Sequence, residues 1–213
     1  MVVLVEDQDL LRSLVASVLE SAGFQVSTAA NASDARRIID SVDPDAVVLD
    51  IDLGDGPTGL DVADYLASRS NEVAIVFLTS LSDPRFAGRD MNAVHPNAAY
   101  LNKHMLSDTK LLVDALEAVL NDRDVAAFRH DKKSDRPLAN LSTLQIQVLQ
   151  LIAEGKTNQQ IANARGRSLA ATESAIKRTL KALDIDVSED INARVVAARQ
   201  YMEKIAFPRK SDN

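Results

Sequence analysis

The sequence predicts two domains of different fold class, a doubly wound α/β domain in residues 1–121 and an all-α domain in residues 141–207. In the first range, short apolar runs alternate with segments of helical spacing, which is typical of a parallel sheet with helices on both faces. In the second range, only helical spacing recurs. The charge divides similarly, because residues 1–121 hold 19 acidic and 8 basic side chains, whereas residues 122–213 hold 12 acidic and 16 basic ones. An acidic half joined to a basic half indicates two separate tasks.

The composition excludes some kinds of site. No cysteine occurs among the 213 residues, so disulfide bonds and thiolate metal sites are impossible. No apolar run approaches the roughly 20 residues that cross a bilayer, and the N-terminus lacks a signal-peptide pattern. We therefore expect a cytoplasmic protein that has no membrane partner.

Five strands and five helices are predicted in the acidic half. The strands are short runs rich in Val, Ile, Leu and Ala, at residues 1–5, 24–29, 45–50, 73–79 and 97–102. Apolar residues recur at helical spacing over 11–19, 35–39, 60–66 and 111–120 and, more sparsely, over 83–94. Because crossovers between parallel strands are right-handed, all strands should point the same way and end at one edge of the sheet. Open α/β sheets bind their ligands at this edge.

Charged and hydroxyl side chains follow the predicted strands at this edge. Glu6 and Asp7 follow the first strand, Asp50 ends the third, Thr79 ends the fourth and Lys103 follows the fifth. Carboxylates this close raise one another's pKa unless a cation offsets them, and Mg²⁺ prefers oxygen ligands of this kind. A hydroxyl and an ammonium group would complete a phosphate site. Asp50 is then the expected nucleophile, which would form an aspartyl phosphate.

Each of these residues, taken singly, also has an ordinary structural explanation. An aspartate at a strand exit commonly forms a turn or caps a helix, threonine is favoured in strands, and lysine is commonly a solvated surface residue. The convergence of four strand ends on the parts of one phosphoryl-transfer site favours the functional interpretation.

The acidic pair, the aspartate, the threonine and a Tyr-x-x-Lys pattern, each after its own strand, resemble the receiver domain of two-component response regulators. The resemblance covers residues 1 to about 121 and implies a flavodoxin-like (βα)5 fold with a five-stranded parallel sheet. It implies that Glu6, Asp7 and Asp50 bind Mg²⁺ together with the backbone carbonyl of Asp52. It also implies that a partner sensor histidine kinase phosphorylates Asp50.

The resemblance assigns a conformational switch as well. Thr79 and Tyr100 resemble the pair in which the hydroxyl moves toward the phosphoryl group and the aromatic ring turns inward behind it. Lys103 resembles the lysine that pairs with the phosphate. A shift of this pair would carry the phosphorylation signal to the face formed by the fourth and fifth helices.

Three departures from the family pattern surround Asp50. The loop DIDLGDGPTG is more acidic than usual and places Gly59 nine positions after Asp50 instead of eight. His104 follows Lys103 where a proline, often with a cis bond, is usual; a cis bond before another residue costs about 2.5–4 kcal/mol, so a trans turn is expected. Asp52 adds a carboxylate, and we hypothesise that it orients a water molecule and shortens the life of the phosphorylated state.

Helix caps organise the basic half. Residues 122–140 mix both charge signs with few periodic apolar residues and are predicted to be a linker, and residues 208–213 a disordered tail. Two capping-box patterns and a glycine suited to a helix C-terminus follow the linker, at Ser142 with Gln145, Thr157 with Gln160, and Gly155. Helices are therefore predicted over 143–154 and 158–164, and a third follows Ser168.

The third helix has an apolar inner stripe and a polar outer face. The stripe is Leu169, Thr172, Ile176, Leu180 and Leu183, and the outer face carries Glu173, Ser174, Lys177, Arg178 and Lys181. Two short helices before such a helix suggest a helix-turn-helix whose third helix enters the major groove of double-stranded DNA. The alternative is a three-helix bundle with an ordinary solvated face.

The stretch LSTLQIQVLQLIAEGKTNQQIANARGRS is similar to the LuxR-type (NarL/FixJ-like) output domain over residues 138–200. The resemblance implies that Glu173, Ser174 and Lys177 take the positions of base-contacting residues. It also implies that the fourth helix pairs two protomers on DNA through a seam of Ile191, Val195, Ala198, Met202 and Ile205. The alternative is that this helix packs on its own domain.

Together these patterns predict a response regulator that accepts a phosphoryl group on Asp50 and thereby controls dimerisation, DNA binding and transcription. A homodimer is expected at least when the protein is phosphorylated. No enzymatic activity is expected beyond its own phosphorylation and dephosphorylation. Two alternatives stay open, namely a phosphorylation-independent regulator and a phosphatase of the haloacid dehalogenase type, since DIDLG resembles the Asp-x-Asp motif of that family.

Overall fold

The computed structural model describes residues 1–69, 72–105, 108–136, 138–185 and 192–206. It divides into two compact units. Unit 1 comprises Met1–Asp83 and Met91–Lys133, and unit 2 comprises Pro84–Asp90 and Ser134–Asn213. The stretch predicted to be a linker is thus shared, since residues 122–133 cluster with unit 1 and residues 134–140 with unit 2. The predicted domain boundaries stay predictions, and the predicted tail lies outside the described residues.

Unit 1 is built on a five-stranded, all-parallel sheet with strand order β2-β1-β3-β4-β5. The strands are β1 (Val2–Val5), β2 (Val26–Ala29), β3 (Ala46–Leu49), β4 (Ala74–Thr79) and β5 (Ala99–Asn102). Every residue of β1, β3 and β5 is buried, because helices cover both faces of a parallel sheet. The predicted sheet is confirmed, and its neighbouring strands β1 and β3 end in register at Val5 and Leu49.

In the part of unit 1 that the structure describes, four α-helices accompany the sheet, namely α1 (Asp9–Ser21), α2 (Ala32–Val42), α3 (Gly59–Ala67) and α4 (Lys110–Leu120). Their buried stripes pack on the sheet, as the predicted spacing requires. The helix predicted over 83–94 is wrong, because the chain between β4 and β5 forms two short 3-10 turns, Pro84–Ala87 and Met91–Ala93. Gly88, between the turns, has φ +73°, which ends any helical path there.

The chain beyond α4 continues along unit 1 as two more 3-10 turns, Ala126–Phe128 and His130–Lys132. We call residues 126–132 the strap. Arg129 lies beside Tyr100 of β5 in an isolated parallel bridge. The strap therefore lies along the free side of β5, at the edge of the sheet.

The described residues of unit 2 form four α-helices, namely α5 (Thr143–Ala153), α6 (Asn158–Ala164), α7 (Leu169–Ala182) and α8 (Ala193–Ala206). Both predicted capping boxes are present, at Ser142 and Thr157, and the Ser168 side chain accepts from the backbone of α7. Gly155 has φ +76°, which confirms its predicted place at the end of α5. Leu169 was expected in the inner stripe of α7 but is 40% exposed, because it is the first residue of the helix.

The segment Pro84–Asp90 belongs to unit 2, and its Arg85 is only 5% exposed. Its guanidinium donates to the backbone carbonyls of Leu138 (3.3 Å), Ala139 (3.4 Å) and Leu141. Arg85 therefore fixes the chain that leads into α5. Within the described part of the chain, no helix combines the length and the apolar character needed to cross a membrane.

Candidate functional site

Three carboxylates meet at the carboxyl edge of the sheet in unit 1. Oxygen atoms of Glu6, Asp7 and Asp50 all lie within 4.8 Å of one another. They meet because β1 and β3 are neighbours whose last residues are in register. Glu6 and Asp50 are buried, at 1% and 4% exposed, whereas Asp7 faces solvent. The predicted acidic cluster is therefore assembled by the fold.

Lys103 brings one positive charge to this cluster. Its Nζ lies 2.6 Å from Glu6 Oε2 and 2.6 Å from Asp50 Oδ2. Burial raises the pKa of Glu6 above its ordinary value, against the opposing effect of Lys103. The pKa of Lys103 is raised, because the charges and hydrogen bonds of Asp50 and Glu6 outweigh the lowering effect of burial. Lys103 is therefore charged at neutral pH and holds both carboxylates.

A divalent cation suits the donor atoms at this site. A single ammonium group cannot neutralise three carboxylates, and all the donors are oxygens, which Mg²⁺ prefers. Asp52 lies beside the cluster, since its backbone N–H donates to Asp50 Oδ1 at 3.3 Å. Its own carboxylate is exposed and accepts from the backbone N–H of Gly54 at 3.4 Å.

Gly59 is a site residue whose importance the sequence only partly indicated. A Cβ atom built on Gly59 would lie 2.0 Å from the backbone oxygen of Asp50, so no larger residue fits without movement of the backbone. The Gly59 N–H donates to the carbonyl of Ile51 at 3.0 Å. The longer loop thus still returns a glycine against the backbone of Asp50, although at the ninth position.

The two predicted switch residues share one neighbour. Thr79 is fully buried, and its Oγ1 accepts from the backbone N–H of Leu81 at 3.3 Å. Tyr100 is also fully buried, and its hydroxyl donates to the Leu81 carbonyl at 3.0 Å. Burial raises the pKa of Tyr100 well above its ordinary value, so the hydroxyl keeps its proton and donates. The Tyr100 ring therefore points inward.

Asn102 is the residue that sequence reasoning missed. It ends β5 and is 6% exposed, and its side-chain amide donates to the carbonyls of Ser80 and Leu81, each at 3.3 Å. Its Oδ1 accepts from the backbone N–H of His104 at 2.9 Å. Asn102 thus ties the ends of β4 and β5 together beside Lys103. The available signal was a polar residue at the end of an otherwise apolar strand.

The outer face of α7 is the second candidate site. All five side chains predicted to contact DNA are exposed, namely Glu173, Ser174, Lys177, Arg178 and Lys181. The opposite face is buried in unit 2 through Thr172, Ala175, Ile176, Thr179 and Leu180. The order of α6, a short turn and α7 gives a helix-turn-helix arrangement.

Comparison with known families finds a match over most of unit 1. The response regulator receiver domain family matches residues 2–117, which include every predicted residue of the acidic site. The chain belongs to this family.

Some relatives match this chain over nearly its whole length and nearly their own. The transcriptional regulatory protein LiaR of Bacillus subtilis is 25% identical over 94% of this chain and 98% of its own length. The nitrate/nitrite response regulator protein NarP of Escherichia coli is 27% identical over 95% of this chain and 94% of its own. The structure of RcsB from Salmonella enterica serovar Typhimurium, bound to promoter rprA in the presence of phosphomimetic BeF3⁻, matches with a TM-score of 0.60 and 18% identity. That match covers 95% of this chain and 97% of RcsB and shows a common fold.

Proposed function

We propose that Asp50 accepts a phosphoryl group from a sensor histidine kinase and that this modification controls the binding of unit 2 to DNA. The chain is a two-component transcription regulator by its receiver family and by the regulators among its relatives. The proposal rests above all on Lys103, whose Nζ lies 2.6 Å from Asp50 Oδ2. A buried carboxylate beside a fixed cation is suited to attack an anionic phosphoryl group.

In the transfer step, one carboxylate oxygen of Asp50 forms a bond to phosphorus. The bond between phosphorus and the kinase histidine breaks, and its electron pair stays on the histidine nitrogen. Lys103 keeps its place beside Asp50 and pairs with a phosphoryl oxygen, and the Thr79 hydroxyl donates to another. Mg²⁺ bound by Glu6, Asp7, Asp50 and the backbone carbonyl of Asp52 would screen the repulsion between the carboxylate and the phosphoryl oxygens.

The second half of the proposal concerns α7. RcsB is bound to promoter DNA in its structure, and LiaR is a transcriptional regulatory protein. We place the outer face of α7 in the major groove, with Glu173, Ser174 and Lys177 toward the bases. Lys177, Arg178 and Lys181 then supply most of the affinity through phosphates.

Dimerisation belongs to the same proposal, because a two-fold dimer suits paired half-sites. Val195 and Met202, which were predicted to form a seam on α8, are 61% and 58% exposed and so are available to a second copy. Ile191 and the side chain of Ile205 lie outside the described residues. A cytoplasmic location stays a prediction.

Acetyl phosphate with Mg²⁺ tests the receiver half, with intact mass as the measurement. We expect one phosphoryl group on the natural chain, none on Asp50→Asn, and one on Asp55→Asn, whose carboxylate is exposed on the same loop. No labelling of the natural chain would favour a phosphorylation-independent regulator. Continued turnover of a phosphomonoester would favour the phosphatase.

The output half is tested with phosphorylated and unphosphorylated protein on the same DNA fragments. We expect phosphorylation to tighten binding and to shift the protein toward a dimer in analytical ultracentrifugation. Equal affinity and equal mass in both states would contradict the proposed control.

A further inference from the structure

The strap buries three ionisable residues in succession. Arg129, His130 and Asp131 are 5%, 5% and 0% exposed. Charged side chains are almost never fully buried unless they are paired. Arg129 and Asp131 form a two-point ion pair, with Arg129 Nε 2.8 Å from Asp131 Oδ1 and Nη2 2.7 Å from Oδ2. Burial of this pair requires close packing, so the strap has a defined position on unit 1.

Arg129 also fixes the strap to the segment before β5. Its Nη1 donates to the backbone carbonyls of His95 at 3.3 Å and Pro96 at 3.2 Å. The guanidinium therefore bridges the strap and the entry to β5.

His130 contacts the other end of β5. Its Nδ1 accepts from the backbone N–H of Asn102 at 3.1 Å. This nitrogen is therefore unprotonated, and burial, with a smaller effect of Lys133, lowers the pKa of His130 to about 4. At neutral pH the imidazole is neutral and available as an acceptor.

A continuous set of contacts joins His130 to the phosphoacceptor. The backbone N–H of Asn102 donates to His130 Nδ1, and the side-chain amide of Asn102 donates to the carbonyls of Ser80 and Leu81. The next residue in the chain is Lys103, which reaches Asp50 at 2.6 Å. These contacts connect the strap, the end of β5 and the Lys103 ammonium group.

We propose that His130 is a positioning residue, which holds Asn102 so that Lys103 stays in place for the phosphoryl group on Asp50. The packing of the strap on unit 1 and the binding of a phosphoryl group at Asp50 are then coupled. This inference rests on the proposed function of Asp50. Coupling between two binding events is reciprocal, so a phosphoryl analogue that binds more tightly when the strap is seated must also hold the strap in place by the same factor.

The first experiment measures the affinity of the full chain for beryllofluoride with Mg²⁺ by fluorine NMR. We expect His130→Ala to bind about tenfold more weakly, within the usual range of such couplings. His130→Asn should bind within about twofold of the natural chain, because its Oδ1 can accept from Asn102 where Nδ1 did. His95→Ala is the matched control, because His95 Nδ1 accepts a similar bond from Asn97 N–H at 3.3 Å in an exposed turn.

The second experiment measures the strap itself by tryptic cleavage after Lys132 and Lys133, followed by mass spectrometry. Beryllofluoride should slow cleavage at both positions in the natural chain. The factor should match the ratio between the beryllofluoride affinities of the natural chain and His130→Ala. Cleavage of His130→Ala should be faster and should respond less. If urea denaturation shows that His130→Ala is unfolded, the test uses the natural chain and His130→Asn. Strap cleavage in both must then slow when beryllofluoride binds.

The outcomes separate the two levels of inference. If the natural chain neither binds beryllofluoride nor is labelled by acetyl phosphate, the proposed function is wrong. If it binds beryllofluoride while strap cleavage is unchanged, or if a folded His130→Ala binds as tightly as the natural chain, the role of His130 is wrong and the phosphoacceptor role of Asp50 stands.

Discussion

The side chains of the phosphoacceptor site come from distant parts of the sequence, whereas the candidate DNA-contacting side chains occupy successive turns of one helix. Lys103 and Glu6 are 97 positions apart, meet at 2.6 Å, and are 12% and 2% exposed in their side chains. The five residues on the outer face of α7 are exposed. In the first region, Lys103 pairs with Glu6 and Asp50 within the protein. In the second, the binding energy arises only in the complex, so substitutions there should leave folding unchanged.

The largest effect is expected from Lys103→Met, which leaves two buried carboxylates without their cation. Loss of one partner of a buried ion pair costs about 3 kcal/mol of unfolding free energy or more, and labelling by acetyl phosphate should fall by about two orders of magnitude. Lys110→Met, at the exposed start of α4, is the control. Urea denaturation and labelling rates measure both effects. Unchanged labelling of Lys103→Met would contradict the proposed role of Lys103 beside Asp50.

Gly59→Ala tests close packing in the same region. The added Cβ would lie 2.0 Å from the backbone oxygen of Asp50, so the start of α3 must shift, at a cost of about 3 kcal/mol. Gly155→Ala in unit 2 meets no heavy atom within 4 Å and has φ +76°, so it should cost only about 1 kcal/mol. Equal losses in urea denaturation would show that the loop after Asp50 adapts freely.

The strap extends the comparison to pH. The pKa of His130 is about 4 in the folded chain, below its ordinary value of 6.5. Between these two pH values, His130 is therefore protonated in the unfolded chain and neutral in the folded chain. The free energy of unfolding should therefore fall as pH is lowered from 6.5 toward 4. His130→Asn should lack this part of the slope, and His95→Asn should keep it. Identical slopes in all three proteins would mean that His130 is not held neutral.

A smaller effect is expected where the acidic site meets solvent. Asp52 is exposed beside Asp50, and we expect Asp52→Asn to slow loss of the phosphoryl group several-fold, because the carboxylate no longer orients a water molecule. The decay of phosphorylated protein, followed by intact mass, measures this rate. Asp55→Asn should not change it, and an unchanged rate in Asp52→Asn would end the hypothesis.

The smallest effect belongs to α7. Lys181→Ala should weaken binding to all DNA sequences a few-fold and reduce the slope of affinity against salt by about 1, since one phosphate contact is lost. Its unfolding free energy should change by less than about 0.5 kcal/mol. Titrations at several salt concentrations measure the slope. A loss confined to one base position would instead identify Lys181 as a base contact.

Regular elements were predictable because their patterns are local. The strands, the α-helices other than the one expected over 83–94, and the two capping boxes follow from spacing and cap residues. The residues Glu6, Asp7, Asp50 and Lys103 were predictable as a group because parallel strands end at one edge. Their assigned roles remain proposals.

The unpredicted parts depend on partners distant in the sequence. Arg85 and Arg129 would each be expected in solvent if considered alone, but both are buried against groups distant in the sequence, including backbone carbonyls. The sequence of residues 122–133 therefore predicts part of a linker, and in the structure these residues cluster with unit 1. Asn102 could not be predicted for the same reason, because its side-chain amide donates to the carbonyls of Ser80 and Leu81, which follow the neighbouring strand β4.

Arg85 has a consequence for dissecting this protein. The backbone carbonyls of Leu138, Ala139 and Leu141, just before α5, accept from the Arg85 guanidinium, which lies 53 to 56 positions earlier in the sequence. A fragment starting at Ser134 would lack that donor, and a fragment ending at Lys133 would carry Pro84–Asp90 without the rest of its unit. No single cleavage of the backbone therefore yields both halves intact, and the isolated C-terminal piece should be less stable than the same residues within the whole molecule.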